Sequence, residues 1–224
     1  MARDALLYDL QHSPACAKVR ICLQVKGVPY RRVAPSVADV LRDAPVPRLV
    51  LDGRPIVRAG MIVRQLEVLW PAPALVPAET DVRAYSDLLE GWADAALGRV
   101  VRRLIWGPED ARARMARATA REVTGGPLAW VVAAVLARRA AALACTAGEA
   151  REALREHVRV LEIMLGERPF LLGRTPARAD FAAFAQLACV RRVAPDLSFD
   201  AWPAVSAWLG RLDDMPAIGT ALSA

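Results

Sequence analysis

Histidine and cysteine are scarce in this chain of 224 residues, and the few present lack the spacing of metal ligands or redox pairs. The histidines are His12 and His157, and none of the four cysteines belongs to a Cys-x-x-Cys pair. A structural zinc site needs four such ligands in close spacing, so no metal is expected. Hydrophobic residues make up 55% of the chain, which favours an ordinary core over a disulfide framework and a reducing, cytoplasmic location.

Lysine is almost absent. Only Lys18 and Lys26 occur, so nearly all of the positive charge behind the net charge of +6 comes from arginine. The arginines are scattered along the whole chain beside abundant alanine, and no run reaches five basic residues. Because nucleic-acid surfaces are typically clustered basic patches, no nucleic-acid partner is expected.

Long apolar runs are missing as well. The most apolar stretch, Leu128 to Ala137, stops at two arginines and is well short of the ~20 residues that a membrane-spanning helix needs. We therefore expect a buried helix at this point and no membrane association. No cationic and apolar leader opens the sequence, so no secretory signal is expected.

The first 70 residues predict a small α/β unit. The predicted elements are strand Leu6–Leu10, helix Pro14–Lys26, strand Pro29–Ala34, short helix Val37–Arg42, strands Arg48–Leu51 and Pro55–Val57, and helix Ala59–Leu69. Asp52-Gly53, between the last two strands, is a pair that favours a tight hairpin. A βαβ start followed by an antiparallel hairpin and a helix gives an α/β sandwich with a mixed sheet.

The remainder of the chain predicts helices only. Three prolines within residues 71–79 interrupt helicity and indicate a linker. The predicted helices that follow are Asp81–Ile105, Asp110–Val123, Leu128–Ala144, Glu149–Leu165, Arg178–Arg191 and Trp202–Leu212. The expected fold class is therefore α/β plus all-α.

Ser13 occupies the most informative position. It follows the first strand and precedes Pro14, so its hydroxyl is placed to cap the first helix, with proline at the first helical position. A helix N-terminus stabilises negative charge by up to roughly 1–2 kcal/mol, so a thiolate can be held there. The alternative is a plain N-cap serine that contributes about 1 kcal/mol to stability.

The order of these units and three local motifs resemble the glutathione transferases. The stretches SPACAKVRICLQVKGVPY, APVPRLVLDGRPIV and RPFLLGRTPARADFAAF are similar to that family's first helix and second strand, its Val-Pro turn and hairpin, and its core C-terminal helix. The resemblance covers nearly the whole chain. It implies a thioredoxin-like N-terminal βαβ-α-ββα domain at 1–70, a linker at 71–79, an all-helical domain at 80–224, and a homodimer that packs the first domain of one subunit against the helical domain of the other.

The same resemblance implies how the site works. Many branches of the family place a catalytic serine or cysteine at the position of Ser13, where a hydroxyl can lower the pKa of a thiol. The peptide before the family's proline is cis, which exposes backbone groups of the residue at Val46, before Pro47, to the cysteinyl part of glutathione. A proline at a strand start is otherwise typical of edge strands. Glutathione or another small thiol is the implied co-substrate, and a small hydrophobic electrophile is the implied acceptor.

Arg58-Ala59 departs from the family's pattern of an acidic residue followed by serine, which binds the γ-glutamyl amino and carboxylate groups. Arg58 would repel an ammonium group and Ala59 offers no hydroxyl, which predicts glutathione binding weaker by roughly a hundredfold. Arg58 and the free N–H groups of this helix start favour a different thiol or an anionic ligand. A solvated surface arginine is the alternative, and a non-catalytic binding or regulatory protein is then the rival function.

Other candidates have structural interpretations. Asp180 matches the family's helix-capping aspartate and is expected to serve folding, although Ala177 replaces the usual Ser or Thr partner. Cys16 lies where redox relatives keep a second cysteine, and with Ser13 in place of the first it is expected to be a small helix residue. His12 is interpreted as a loop residue near the site. Aromatics at helical spacing usually lie in the core, although one could line an acceptor pocket; they are Trp92, Trp106 and Trp130.

Overall fold

A four-stranded mixed sheet forms the first domain of the computed structural model, which describes residues 4–223. The strands are β1 (Ala5–Tyr8), β2 (Arg31–Val33), β3 (Arg48–Leu51) and β4 (Arg54–Val57). Their order is β2-β1-β3-β4, with β1 parallel to β2 and the other two pairings antiparallel. This is the predicted thioredoxin-like topology.

The other regular elements of the described chain are helices. The first domain contains α1 (Pro14–Val25), α2 (Val37–Leu41) and α3 (Ala59–Leu69). The helical domain contains α4 (Thr80–Trp92), α5 (Gly98–Trp106), α6 (Glu109–Val123), α7 (Ala129–Ala140), α8 (Ala147–Leu165), α9 (Arg178–Val193), α10 (Pro203–Asp213) and α11 (Pro216–Ser223). A 3-10 turn, Ala141–Leu143, follows α7.

Two predictions about the helices are wrong. The single helix expected over Asp81–Ile105 is divided by a π-helical turn, Ala93–Leu97, between α4 and α5. Such a turn inserts one residue into the helical register without any change in residue type that marks it in the sequence. Helix α11 was not expected, because its eight residues follow directly on a turn at Met215.

The β3–β4 hairpin has the turn that its sequence predicts. Asp52 and Gly53 have φ angles of +49° and +79°, the left-handed values that a two-residue hairpin loop of type I′ requires. Glycine adopts this conformation without steric cost, and aspartate is among the few other residues that tolerate it.

Buried ion pairs join the elements around α1. Arg20 is fully buried and donates from Nη1 to both carboxylate oxygens of Asp9, at 2.7 and 2.8 Å, while its Nε donates to the carbonyl of Ala221 in α11. Lys26 forms an ion pair with Glu67 at 2.6 Å and donates to the carbonyl of Trp70, at 2.6 Å. Lys18, the other lysine of the chain, is buried as well. The positive charges on and next to α1 therefore serve packing rather than solubility.

Asp180 caps α9 as predicted. Its carboxylate accepts from the backbone N–H of Ala177 at 2.9 Å, and it also accepts, each at 2.9 Å, from the N–H of Leu171 and the indole of Trp208. The side chain of Ala177 offers no cap, so Asp180 acts without the usual partner. Three buried donors depend on one carboxylate.

The three tryptophans singled out in the sequence have different environments. Trp92 is half-buried and stacks on His157, with ring centroids 6.2 Å apart. Trp106 is half-buried and lines the cavity described below. Trp130 is 74% exposed, so its expected place in the core is wrong.

No single helix within residues 4–223 is long and apolar enough to span a membrane, although Ala129–Leu143 and Ala147–Leu165, bent by 67° to one another, pass such a test as a pair. The same residues hold no cluster of three or more side chains of the kinds that bind metals.

Candidate functional site

A cavity of about 540 Å³ opens between the two domains. On the side of the first domain it is lined by Ser13 at the start of α1 and by Val46. On the other side it is lined by the π-helical turn and by residues of α5, α6, α7 and α9. The start of a helix in the first domain and a wall of mixed apolar and polar side chains in the second therefore face the same cavity.

Ser13 is the N-cap of α1. Its Oγ accepts a hydrogen bond from the backbone N–H of Cys16 at 3.3 Å, with Pro14 at the first helical position. Because the oxygen is the acceptor in this bond, the hydroxyl hydrogen remains available to donate to a group in the cavity. The hydroxyl that caps α1 can therefore also donate a hydrogen bond to a thiolate.

The Val46-Pro47 peptide is cis. Val46 lines the cavity, whereas Pro47 is buried beneath it and does not. Of the two turn residues predicted to bind a thiol, only Val46 therefore meets the cavity directly.

Arg58 and Ala59 lie at the start of α3, outside the cavity lining. Arg58 is the N-cap of α3, is exposed, has a φ of +70°, and makes no side-chain capping bond. Ala59 is buried under it. The structure brings Ser13 and Val46 together at the cavity and leaves this pair at a separate helix start.

Cys16 is fully buried on the first turn of α1, and it accepts a hydrogen bond on Sγ from the N–H of Leu10 at 3.4 Å. Burial, followed by the nearby charge of Asp9, raises the pKa of the Cys16 thiol to about 12. A thiol that is both inaccessible and protonated at neutral pH is no nucleophile, which agrees with its interpretation as a small helix residue.

The π-helical turn places a carboxylate on the cavity wall. Asp94 lines the cavity, and its Oδ2 lies 2.6 Å from Nζ of Lys18, which lies 2.6 Å from Glu90 as well. Burial alone would lower the pKa of Lys18, but the two carboxylates outweigh it and raise the pKa. Lys18 is therefore charged at neutral pH and is the shared cation of Asp94 and Glu90.

Three polar side chains of the cavity were not predicted from the sequence. Arg99 and Arg102 line it from α5, and Gln186 lines it from α9. The nearest signals were the i, i+3 spacing of the two arginines and the single amide within an apolar stretch of α9. Neither signal says which face of a helix meets the cavity.

His12 precedes Ser13 and lines both this cavity and a neighbouring one of about 280 Å³. Its Nδ1 is buried and has no hydrogen-bond partner among the residues that the structure describes. Burial, and then the charges of Arg192 and Arg20, lower the pKa of His12 below its usual 6.5. The imidazole is therefore neutral at pH 7.

Comparison with protein families gives two matches. Residues 7–74 match the N-terminal domain of glutathione S-transferases, and residues 131–216 match their C-terminal domain. The two matches fall on the thioredoxin-like domain and on the helical domain.

Curated relatives match over shorter spans. The chain is 33% identical over 87 residues to a maleylpyruvate isomerase of a Ralstonia species, covering 34% of this chain and 41% of that protein. It is 28% identical over 116 residues to glutathione S-transferase U8 of Arabidopsis thaliana, covering 47% of this chain and 52% of that protein. The chain thus spans about half or less of the length of these relatives.

Solved structures are similar over nearly the whole chain. A glutathione S-transferase from Rhodospirillum rubrum F11 has a TM-score of 0.72 and 21% sequence identity, covering 98% of this chain and 92% of that one. This likeness shows the fold.

Proposed function

Because the chain belongs to the glutathione S-transferase superfamily, we propose that it transfers a low-molecular-weight thiol, glutathione or another, to a hydrophobic electrophile. The observation that carries this proposal is the Ser13 hydroxyl at the cavity, with its hydrogen free to donate. Apolar side chains on the opposite side of the cavity, which include Trp106 and Met115, suit the apolar part of an acceptor.

The chemistry assigned to Ser13 is stabilisation of a thiolate. Its O–H donates to the sulfur, and the start of α1 adds the favourable field of a helix N-terminus, so the thiol loses its proton to solvent more readily. The thiolate then attacks the electrophilic carbon, a C–S bond forms, and the leaving group departs with its electron pair. Holding both reactants in one cavity supplies the proximity.

Val46 is assigned to hold the thiol compound. Val46 lies outside the helices and strands. Within the described residues, neither its N–H nor its C=O forms a hydrogen bond with another backbone group. Both groups can therefore pair with a peptide-like ligand, such as the cysteinyl unit of glutathione. Pro47 contributes by fixing the turn.

Arg58 and Ala59 are assigned to the far end of the thiol compound. An exposed guanidinium and the unpaired N–H groups at the start of α3 favour a carboxylate there and disfavour an ammonium group. Glutathione, whose γ-glutamyl end also carries an ammonium group, is then expected to bind more weakly than a thiol with a carboxylate and no ammonium group at this end.

A second candidate function is a non-catalytic binding or regulatory protein that has lost glutathione binding. Arg58-Ala59 favours it, because the chain offers neither an acidic side chain nor a hydroxyl at the start of α3. The Ser13 cap and Val46 favour the enzyme.

The deciding experiment is a calorimetric titration with glutathione, together with an assay of glutathione conjugation to 1-chloro-2,4-dinitrobenzene. Measurable binding with turnover supports the enzyme. Absent or millimolar binding without conjugation overturns the glutathione-dependent reaction. The double variant R58E/A59S, which restores an acidic residue and a hydroxyl, is the matched comparison, and it should bind glutathione at least tenfold more tightly. Unchanged affinity would overturn the assignment of Arg58 and Ala59.

The proposal includes a homodimer, domain boundaries at 1–70 and 80–224, and a cytoplasmic location. Support for the dimer comes from exposed apolar side chains on one helix of each domain: Met61 and Val68 on α3, and Tyr85 and Leu88 on α4. A contact between α3 of one subunit and α4 of the other would cover them. Light scattering after size exclusion should give twice the chain mass, and the mass of a single chain would overturn the dimer.

A further inference from the structure

Two unpaired cations line the helical side of the cavity. Arg99 and Arg102 are three residues apart on α5, so they lie on one face of the helix, one turn apart. Neither guanidinium forms an ion pair with a side chain in the described part of the chain. Both residues are exposed to solvent, so their guanidinium groups are accessible to a ligand of the cavity.

The acidic group of the cavity does not offset these charges. Asp94 shares the buried Lys18 with Glu90, and Glu90 also pairs with Arg178. His12 on the same cavity is uncharged at neutral pH and lies in the positive field of Arg192 and Arg20. The cavity lining therefore carries two arginines against one carboxylate, which already has a cation partner, so positive charge is in excess there.

A buried amide meets the same cavity from another helix. Gln186 of α9 is only 5% exposed, and its Oε1 has no hydrogen-bond partner within residues 4–223. Its Nε2 lies beside Gly98, 3.1 Å from where a β-carbon at that position would be, so the glycine makes room for the amide at the cavity. A buried acceptor without a partner is costly, and a hydrogen-bond donor of a bound ligand would satisfy it.

We propose that the acceptor compound is an anionic electrophile, with its carboxylate on Arg99 and Arg102 and a hydrogen-bond-donating substituent on Oε1 of Gln186. This inference rests on the proposed function and names the acceptor class for the same cavity. The apolar body of the compound packs against Trp106 and Met115, between the arginines and the thiol at Ser13. An acceptor without a negative charge leaves both guanidinium groups unpaired and is used less well.

Two acceptors that differ in one group test the proposal. In 4-chloro-3,5-dinitrobenzoate and 4-chloro-3,5-dinitrobenzamide the ring and the leaving chloride are the same, and only the benzoate carries a charge. Glutathione is the thiol, as in the assay above. With each acceptor, its thiolate forms a C–S bond at the chlorine-bearing carbon, chloride leaves with the bonding electrons, and the thiol proton passes to the buffer. The value of kcat/KM, corrected for the uncatalysed rates, should favour the benzoate at least tenfold at low ionic strength.

Variants show whether the preference comes from the two arginines. The double variant R99Q/R102Q should lower kcat/KM for the benzoate at least tenfold and bring the ratio of the two acceptors close to one. The control is Arg103→Gln on the same helix, an exposed arginine outside the cavity lining, which should keep the ratio of the unmodified protein. A ratio near one in the unmodified protein, or a full preference in R99Q/R102Q, overturns the proposal.

A binding measurement separates this inference from the proposed function. Calorimetry with unreactive 3,5-dinitrobenzoate and 3,5-dinitrobenzamide needs no turnover and should show the same preference, lost in R99Q/R102Q. Preferential binding of the benzoate without any conjugation supports the anion site and overturns the transferase reaction. Conjugation with no preference between the acceptors supports the reaction and overturns the anion site.

Discussion

Nζ of Lys18 lies 2.6 Å from Oδ2 of Asp94, which ties the helix that carries Ser13 to the π-helical turn that lines the cavity. Lys18 is 1% exposed and also pairs with Glu90. Arg178 of α9 reaches the same group, with Nε 3.0 Å from Glu90 Oε2. The two domains are thus joined by a buried charge cluster directly beside the candidate site.

Replacing Lys18 by methionine should destabilise the protein by about 3–5 kcal/mol, because Glu90 and Asp94 would lose their shared cation and leave charge uncompensated. Urea unfolding at pH 7 measures the effect. Since the two carboxylates raise the pKa of Lys18 above 10.5, its contribution is complete below that pH and is lost only in stronger alkali. The control is Arg114→Met, which breaks an exposed pair with Asp110 and should cost less than about 1 kcal/mol. Equal losses in the two variants would contradict the structural role of Lys18.

Replacing Ser13 by alanine should lower turnover at least tenfold, since it removes the O–H that stabilises the thiolate. It should also cost about 1 kcal/mol of stability, because the cap of α1 is lost. The matched control is Ser36→Ala, which removes the cap of α2 away from the cavity. Both variants should lose similar stability in urea unfolding, but only Ser13→Ala should lose turnover. Unchanged turnover in Ser13→Ala would leave Ser13 as a structural cap.

Replacing Asp180 by alanine should cost at least about 3 kcal/mol of stability, because three buried N–H donors lose their acceptor and each costs about 1–3 kcal/mol. Asp180→Asn keeps one oxygen, which can still accept from Leu171 and Trp208, so a smaller loss is expected. Thermal and urea unfolding of the two variants measure the difference. A loss in Asp180→Asn as large as in Asp180→Ala would show that the charge matters more than the acceptor.

Replacing His12 by glutamine should make stability less sensitive to acid. Burial, with Arg192 and Arg20, lowers the pKa of His12, so below pH 6.5 the unfolded chain binds a proton that the native protein does not. The free energy of unfolding therefore falls as pH drops through this window. The difference in unfolding free energy between pH 7.5 and pH 5 should be smaller in His12→Gln than in the unmodified protein. Parallel pH profiles for the two proteins would contradict a buried, neutral imidazole.

Much of the fold could be predicted because its signals are local. Strand β3 and helix α3 have the bounds that the apolar pattern predicts, and the Asp52-Gly53 turn has the required positive φ values. Caps are equally local, since Ser13 and Asp180 bond to backbone groups three residues away. Failures came where the local pattern is silent, at the π-helical turn and at Trp130.

The sequence by itself determined most of the elements and their order, and that a capped helix start and a Val-Pro turn follow one another in the first domain. These features depend on residues only a few positions apart. Tertiary structure alone decided that Arg99, Arg102 and Gln186 face one cavity, and that Lys18 is buried between two carboxylates of another domain. The direction in which a helical side chain faces depends on how its helix packs. The residue inserted by the π-helical turn changes that direction for the residues of α5, which follow it.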